Sequence, residues 1–175
     1  MYICDDTSIK DKGSKYHHLV VLCKNETGRL NLNKLMSLSN NPENFYSKPR
    51  IDIKLLSQYK EGLIVLSACL AGEVSRLIES GDIEAAKNKA IQYKELMGDD
   101  YYLEIQSHLD ETQISVNKTI VEISKELNIP CVVTTDAHFV NEKDRKYQNK
   151  YAFNGAYKED GESYIDCHIQ SEDEV

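Results

Sequence analysis

Four short apolar runs punctuate the chain: HLVVLC at 18–23, LIVLSA at 63–68, YYLEI at 101–105 and CVVTT at 131–135. They are rich in β-branched or aromatic residues and mostly apolar on both faces, as strands covered on both sides by helices would be. Helical periodicity takes over between them. DIEAAKNKAIQYKELMG puts Ala86, Ala90, Tyr93 and Met97 on one face, starts beside Asp82 as N-cap and stops at Gly98. DETQISVNKTIVEISKELNIP does the same with Val116, Ile120, Ile123 and Leu127. There Asp110 and Gln113 form a capping-box variant, and Asn128 and Pro130 are the stop. Shorter helices are expected over 27–39, 52–59 and 72–80, and SNNPENFYSKPR at 39–50 reads as a surface loop.

Strands alternating with helices predict an α/β fold with parallel strands, open or closed as a barrel. Functional residues would then collect at the carboxyl ends of strands. We read one domain over 1–175, with a core at 16–140 and a divergent C-terminal segment at 141–175. That segment begins charged and helical, passes through Gly-containing turns and ends in a candidate edge strand at 164–169.

Bulk composition narrows the function classes. A chain of 175 residues with 41% hydrophobic and 29% charged residues is an ordinary globular mixture. The net charge of −8 weighs against a broad electrostatic grip on nucleic acid, leaving only a local basic loop for that purpose. Five cysteines with no CxxC pair indicate reduced thiols and a cytoplasmic location. The longest mainly apolar stretch, GLIVLSACLAG at 62–72, is too short to span a bilayer, so a soluble protein without a membrane partner is expected. No P-loop, dinucleotide glycine signature, GxSxG elbow or HExxH is present, which leaves metal or phosphate chemistry.

The candidates for that chemistry lie at strand ends. Asp136 and His138 follow CVVTT and, in an extended chain, would point the same way about 7 Å apart. They are either a site pair or a turn-capping Asp beside a half-exposed His. Cys69, in LSACLAGE, is a thiolate ligand or a small buried hydrophobe. His17 and His18 precede LVVLC, and one of the two can face inward. His108 follows the third strand in a loop, where it could bind or shuttle a proton. Lys48 and Arg50, in YSKPRID, form either a phosphate-binding loop stiffened by Pro49 or a solvated turn.

Five ordered blocks, HHLVVLCKNETGRLNLNKL, FYSKPRID, EGLIVLSACLAGEV, YYLEIQSH and IPCVVTTDAHF, resemble the polymerase-and-histidinol-phosphatase (PHP) domain of the bacterial DNA polymerase III alpha subunit. The resemblance runs from Tyr2 to His138, and YIDCHIQSEDEV is similar to that domain's closing segment. It implies a distorted β/α barrel, here a partial one, and a site for zinc or manganese ions. It also implies that His18, Cys69, Asp136 and His138 are metal ligands. The family's opening HxH motif, its TDHG motif and its GCE-type turn are not found in this sequence. The four residues present would hold one zinc or manganese ion, or none.

These departures set the functional expectations. The leading one is a truncated or split PHP domain that acts as a non-catalytic structural or interaction module in DNA replication. It would be completed by an N-terminal PHP fragment, by a polymerase subunit or by self-association, since missing strands leave sheet edges open. The alternatives are a metal-dependent phosphoesterase or 3′–5′ nuclease with a reduced site, and a decoy encoded by a mobile element that binds replication proteins.

Overall fold

The structure, a computed structural model, describes residues 1–147, 167–171 and 173. Seven strands and five α-helices alternate within this range. The strands are β1 (Tyr2–Ile3), β2 (His17–His18), β3 (Val20–Cys23), β4 (Arg50–Ile51), β5 (Leu63–Leu66), β6 (Tyr101–Gln106) and β7 (Cys131–Thr134). The helices are α1 (Glu26–Ser39), α2 (Ile53–Gln58), α3 (Glu73–Glu79), α4 (Ile83–Met97) and α5 (Glu111–Leu127). None of the described helices is long and apolar enough to cross a membrane.

The strands form two sheets, ordered β2-β1-β4 and β3-β5-β6-β7. In the larger sheet β5, β6 and β7 run parallel, as expected of strands joined through helices. Edge strand β3 instead runs antiparallel to β5, with Val20 opposite Leu66 and Cys23 opposite Leu63. The run at 18–23 is thus not one strand but two. It bends at Leu19, whose side chain is buried and whose N–H donates to the Met1 carbonyl at 2.9 Å. His18 is left in the smaller sheet, where its own N–H reaches the Ala71 carbonyl, while Val20 starts the larger one. Leu22 and Cys23 are exposed, so the two-sided cover expected for this run is absent at the edge.

The two long helices form where their periodicity placed them. In α4 the Asp82 carboxylate accepts from Ala85 N–H at 3.0 Å, and Ala86, Ala90, Tyr93 and Met97 are buried. In α5 Asp110 caps Gln113 N–H at 2.8 Å, and Asn128 ends the helix in the left-handed region at φ 50°. Helix α1 packs on β3, β4 and β5, α5 packs on β6, and α3 lies against α4 and α5. Leu35, Leu56, Leu63, Val65, Leu103 and Ile120 are among the enclosed side chains of the resulting core. Of the candidate strand at 164–169, residues 164–166 lie outside the described residues; His168 makes a single parallel bridge with Phe139.

Two core tyrosines make the fold sensitive to alkali. Tyr93 and Tyr101 stack at 5.3 Å, and Tyr93 Oη donates to Glu73 Oε2 at 2.5 Å. The buried Tyr101 hydroxyl has no hydrogen-bond partner among the described residues. Burial, reinforced by Glu73, raises both phenols above their ordinary value of 10.0. Above pH 10 the unfolded chain sheds these protons while the folded chain keeps them, so stability falls by about 1.4 kcal/mol per tyrosine per pH unit. Tyr101→Phe removes one such proton and an unpaired hydroxyl. It should be neutral or stabilising by about 1 kcal/mol at pH 7 and should move alkaline unfolding to higher pH. A pH titration followed by circular dichroism checks this, and unfolding at the parent's pH or below would contradict it.

Candidate functional site

The expected ligands meet, in part, where the two sheets join. A cavity of about 290 Å³ is lined by Tyr2, His18, Ala68, Cys69, Glu104, Gln106 and Asp136, together with Met1, Leu19 and Val20. His18 reaches it from β2, Cys69 from the turn after β5, Glu104 and Gln106 from β6, and Asp136 from the turn after β7. A larger cavity of about 640 Å³ lies on the far side of the β2 strand, with His17, Glu73, Arg76 and Lys89 on its walls. The two adjacent histidines therefore face different cavities, as alternation along a strand requires.

Across the cavity wall His18 Nδ1 and Cys69 Sγ are in contact at 3.3 Å. Burial lowers the His18 pKa, with Asp136 acting in the opposite direction. Burial also raises the Cys69 thiol, with Asp136 and Glu104 adding to the rise against the backbone donors at Ala71 and Cys69. At neutral pH the pair is an uncharged imidazole beside an uncharged thiol, and a bound cation would draw the thiol toward thiolate. The turn that presents Cys69 is tightly wound. Ala68 sits at φ 66°, and a side chain on Gly72 would stand 2.1 Å from the Ser67 carbonyl oxygen.

Asp136 and His138 are not in extended chain. Strand β7 ends at Thr134, and Asp136 turns the backbone through φ 46°, which an Asp tolerates better than most residues. The face-sharing expected from strand alternation is replaced by a compact turn in which His138 Nδ1 lies 2.6 Å from the Asp136 carbonyl oxygen. Asp136 borders the cavity and His138 does not line it.

The phosphate candidates separate as well. Lys48 is exposed, and its Nζ lies 5.7 Å from the ring centre of Tyr2, which meets His18 edge-on at 5.3 Å; this places the amine near the cavity wall. Arg50 is at 0% exposure, and this corrects its reading as a residue of a solvated loop. Its guanidinium donates to the carbonyls of Thr7, Ile9 and Asn44 and to Ser14 Oγ, and it lies over the Tyr46 ring. A group so enclosed braces the loops around it and offers nothing to an outside phosphate. His108 is half-buried in the loop after β6, outside the lining of the cavity.

Glu104 is the residue that sequence reasoning missed. In YYLEIQ a Glu looks like an outward-facing strand position, yet it is 4% exposed, as is Gln106 two residues on. Polar residues at i and i+2 on a central strand, next to a Thr on the neighbouring one, were the available signal. Glu104 Oε1 accepts from Thr134 Oγ1 at 2.6 Å and Gln106 Nε2 at 3.3 Å, and its N–H donates to Ser67 Oγ at 2.8 Å. Its Oε2 is buried without a partner among the described residues.

For a divalent ion the donors fit in kind: a soft sulfur beside an imidazole, with an unpartnered buried carboxylate oxygen and a second carboxylate on the same cavity. Among the described residues, no three His, Cys, Asp or Glu side chains stand already gathered as a metal-holding group. His18 and Cys69 would hold the ion first. Bound there, zinc would act as a Lewis acid or as a structural cross-link.

A mixed α/β fold with this strand-end cluster is the organisation of a known class. Residues 2–108 match the PHP domain family, and the chain belongs to it. Its relatives are more specific. The chain is 44% identical over 139 residues to the DNA polymerase III subunit alpha of Borreliella burgdorferi, covering 79% of this chain and 12% of that protein. It is 41% identical over 145 residues to the Treponema pallidum subunit, covering 82% and 12%. The Aquifex aeolicus subunit is 39% identical over 140 residues, covering 80% and 12%. The chain thus spans about one-eighth of the length of these relatives.

Proposed function

We propose that this chain serves as a non-catalytic PHP module in DNA replication, a scaffold or interaction surface without phosphoesterase activity of its own. The observation that supports it is the dispersal of the four expected ligands. His18 and Cys69 are in contact and Asp136 borders the same cavity, whereas His138, whose Nδ1 lies 2.6 Å from the Asp136 carbonyl oxygen, does not line it. Hydrolysis by a bound ion requires several ligands that fix its geometry and leave one position for water. Among the described residues β3 and β7 are the outer strands of the larger sheet, and their backbone edges are where a complementing PHP fragment, a polymerase subunit or a second copy would attach.

The second reading is a metal-dependent phosphoesterase or nuclease with a reduced site. It is favoured by the shared cavity of His18, Cys69 and Asp136, with Lys48 near its wall to hold a phosphate. One experiment separates the two: purified protein is loaded with Zn²⁺ or Mn²⁺ and assayed on a 3′-labelled oligonucleotide and on bis(p-nitrophenyl) phosphate. We expect the same rate from the parent and from Asp136→Ala. Metal-dependent hydrolysis that disappears in Asp136→Ala would overturn the scaffold reading. Light scattering on the same sample reports self-association, against which a monodisperse monomer would count.

A further inference from the structure

Alternation along β2 turns His17 away from the strand-end cavity and into the larger one, of about 640 Å³, and none of the four expected metal ligands lines that space. Its walls come from separate stretches of chain: Lys15 and Tyr16 lead into β2, Arg76 and Leu77 belong to α3, and Lys89 belongs to α4. The volume is that of a pocket for a small organic molecule. Tyr16 and Leu77 give it apolar surface, and the exposed Tyr16 ring is held edge-on by Tyr2 at 5.2 Å between centres.

Charge on these walls is unevenly answered. The two acids, Asp5 and Glu73, both pair with Lys89, at 3.8 and 3.2 Å, and Glu73 also accepts from Tyr93. Arg76 gives only Nη1 to Glu79 Oε2, at 3.0 Å, and that contact steadies the guanidinium while its other N–H groups stay open. Among the described residues Lys15 has no ion pair, and neither the His17 ring nor the Tyr16 hydroxyl makes a hydrogen bond. On a chain of net charge −8 this is a local gathering of unengaged donors and cations over apolar and ring surface. A metal ion would meet acids already held by a lysine, whereas a phosphate would meet an open guanidinium fork and a free ammonium. We propose that this cavity binds a small phosphate monoester carrying a planar ring, of the nucleoside monophosphate kind, with Arg76 and Lys15 on the phosphate and Tyr16 against the ring. This site goes beyond the scaffold reading and does not depend on it.

The test is calorimetric titration of the full chain with AMP, adenosine and inorganic phosphate at low ionic strength. A chelator is present throughout, so that no metal bridges phosphate to another part of the protein. We expect one AMP per chain, with adenosine and inorganic phosphate each at least about tenfold weaker, and an AMP affinity that falls as salt rises. Arg76→Gln should weaken AMP about tenfold, and Lys15→Gln about threefold, because its ammonium is more exposed to solvent. Tyr16→Ala should weaken AMP while leaving inorganic phosphate unchanged. The three side chains are exposed, so each variant should melt at the parent's Tm. No heat from AMP at millimolar concentration would overturn the proposal, as would unchanged AMP affinity in any of the three variants. Adenosine or inorganic phosphate binding as tightly as AMP would equally sink it. None of these readouts follows hydrolysis or self-association, so failure here leaves the scaffold reading to its own assay.

Discussion

Arg50→Met should lower the free energy of unfolding by about 3–5 kcal/mol. The side chain is fully enclosed, and its loss leaves the buried Thr7 carbonyl without its donor and removes the donors of the part-buried Ile9 and Asn44 carbonyls and of Ser14. The buried carbonyl so abandoned costs about 1–3 kcal/mol, and the part-buried ones less, since water can reach them. Methionine fills much of the volume, so the deficit would be polar rather than a packing void. Arg50→Lys should recover only part of it, since one ammonium cannot serve loops on several sides as a forked guanidinium does. Urea unfolding measures both variants. A shift below about 1 kcal/mol for Arg50→Met would mean that these loops contribute little to the fold.

Gly28→Ala is the second large effect, by a different route. Helix α1 begins so close to the turn before β5 that a β-carbon on Gly28 would stand 1.8 Å from the Gly62 carbonyl oxygen. That carbonyl is itself engaged by Lys24 N–H at 2.8 Å, and Asn25 caps Gly28 N–H at 3.0 Å, so neither backbone has freedom to yield. A loss above about 3 kcal/mol is expected, or failure to fold. Gly81→Ala is the control. Gly81, unlike the helical Gly28, has a positive φ of 81°, but nothing stands within 4 Å of an added β-carbon, so only the conformational cost of about 1 kcal/mol applies. Equal losses at the two positions, measured by denaturant melts, would show that the clash is not the cause.

Much of the helical scaffold was legible in the sequence because its signals are local. Helices α4 and α5 carry an apolar face, a cap and a stop within one continuous stretch, and tertiary packing agrees with all three. Strands β1 and β4, of two residues each, are too short to show any period. The direction of β3 was equally hidden, since alternation fixes which face a residue takes and not which way its neighbour runs. Arg50 misled because all but one of its partners, at residues 7, 9 and 14, come from outside its own loop. At the site, Cys69 and Asp136 follow strand ends and line the cavity, whereas the left-handed turn at Asp136 and the inward Glu104 depend on tertiary context.

Ala68 carries a consequence for how this chain would respond to selection. Its left-handed backbone, at φ 66°, costs an alanine about 1–2 kcal/mol that a glycine would not incur. In a screen for heat resistance alone, glycine would be favoured there as a released constraint. The same exchange would free the peptide that aims Cys69 at His18, trading a rigid cavity for a tougher fold. A lineage that keeps alanine at this position is keeping the aim of the thiol at the expense of thermal tolerance.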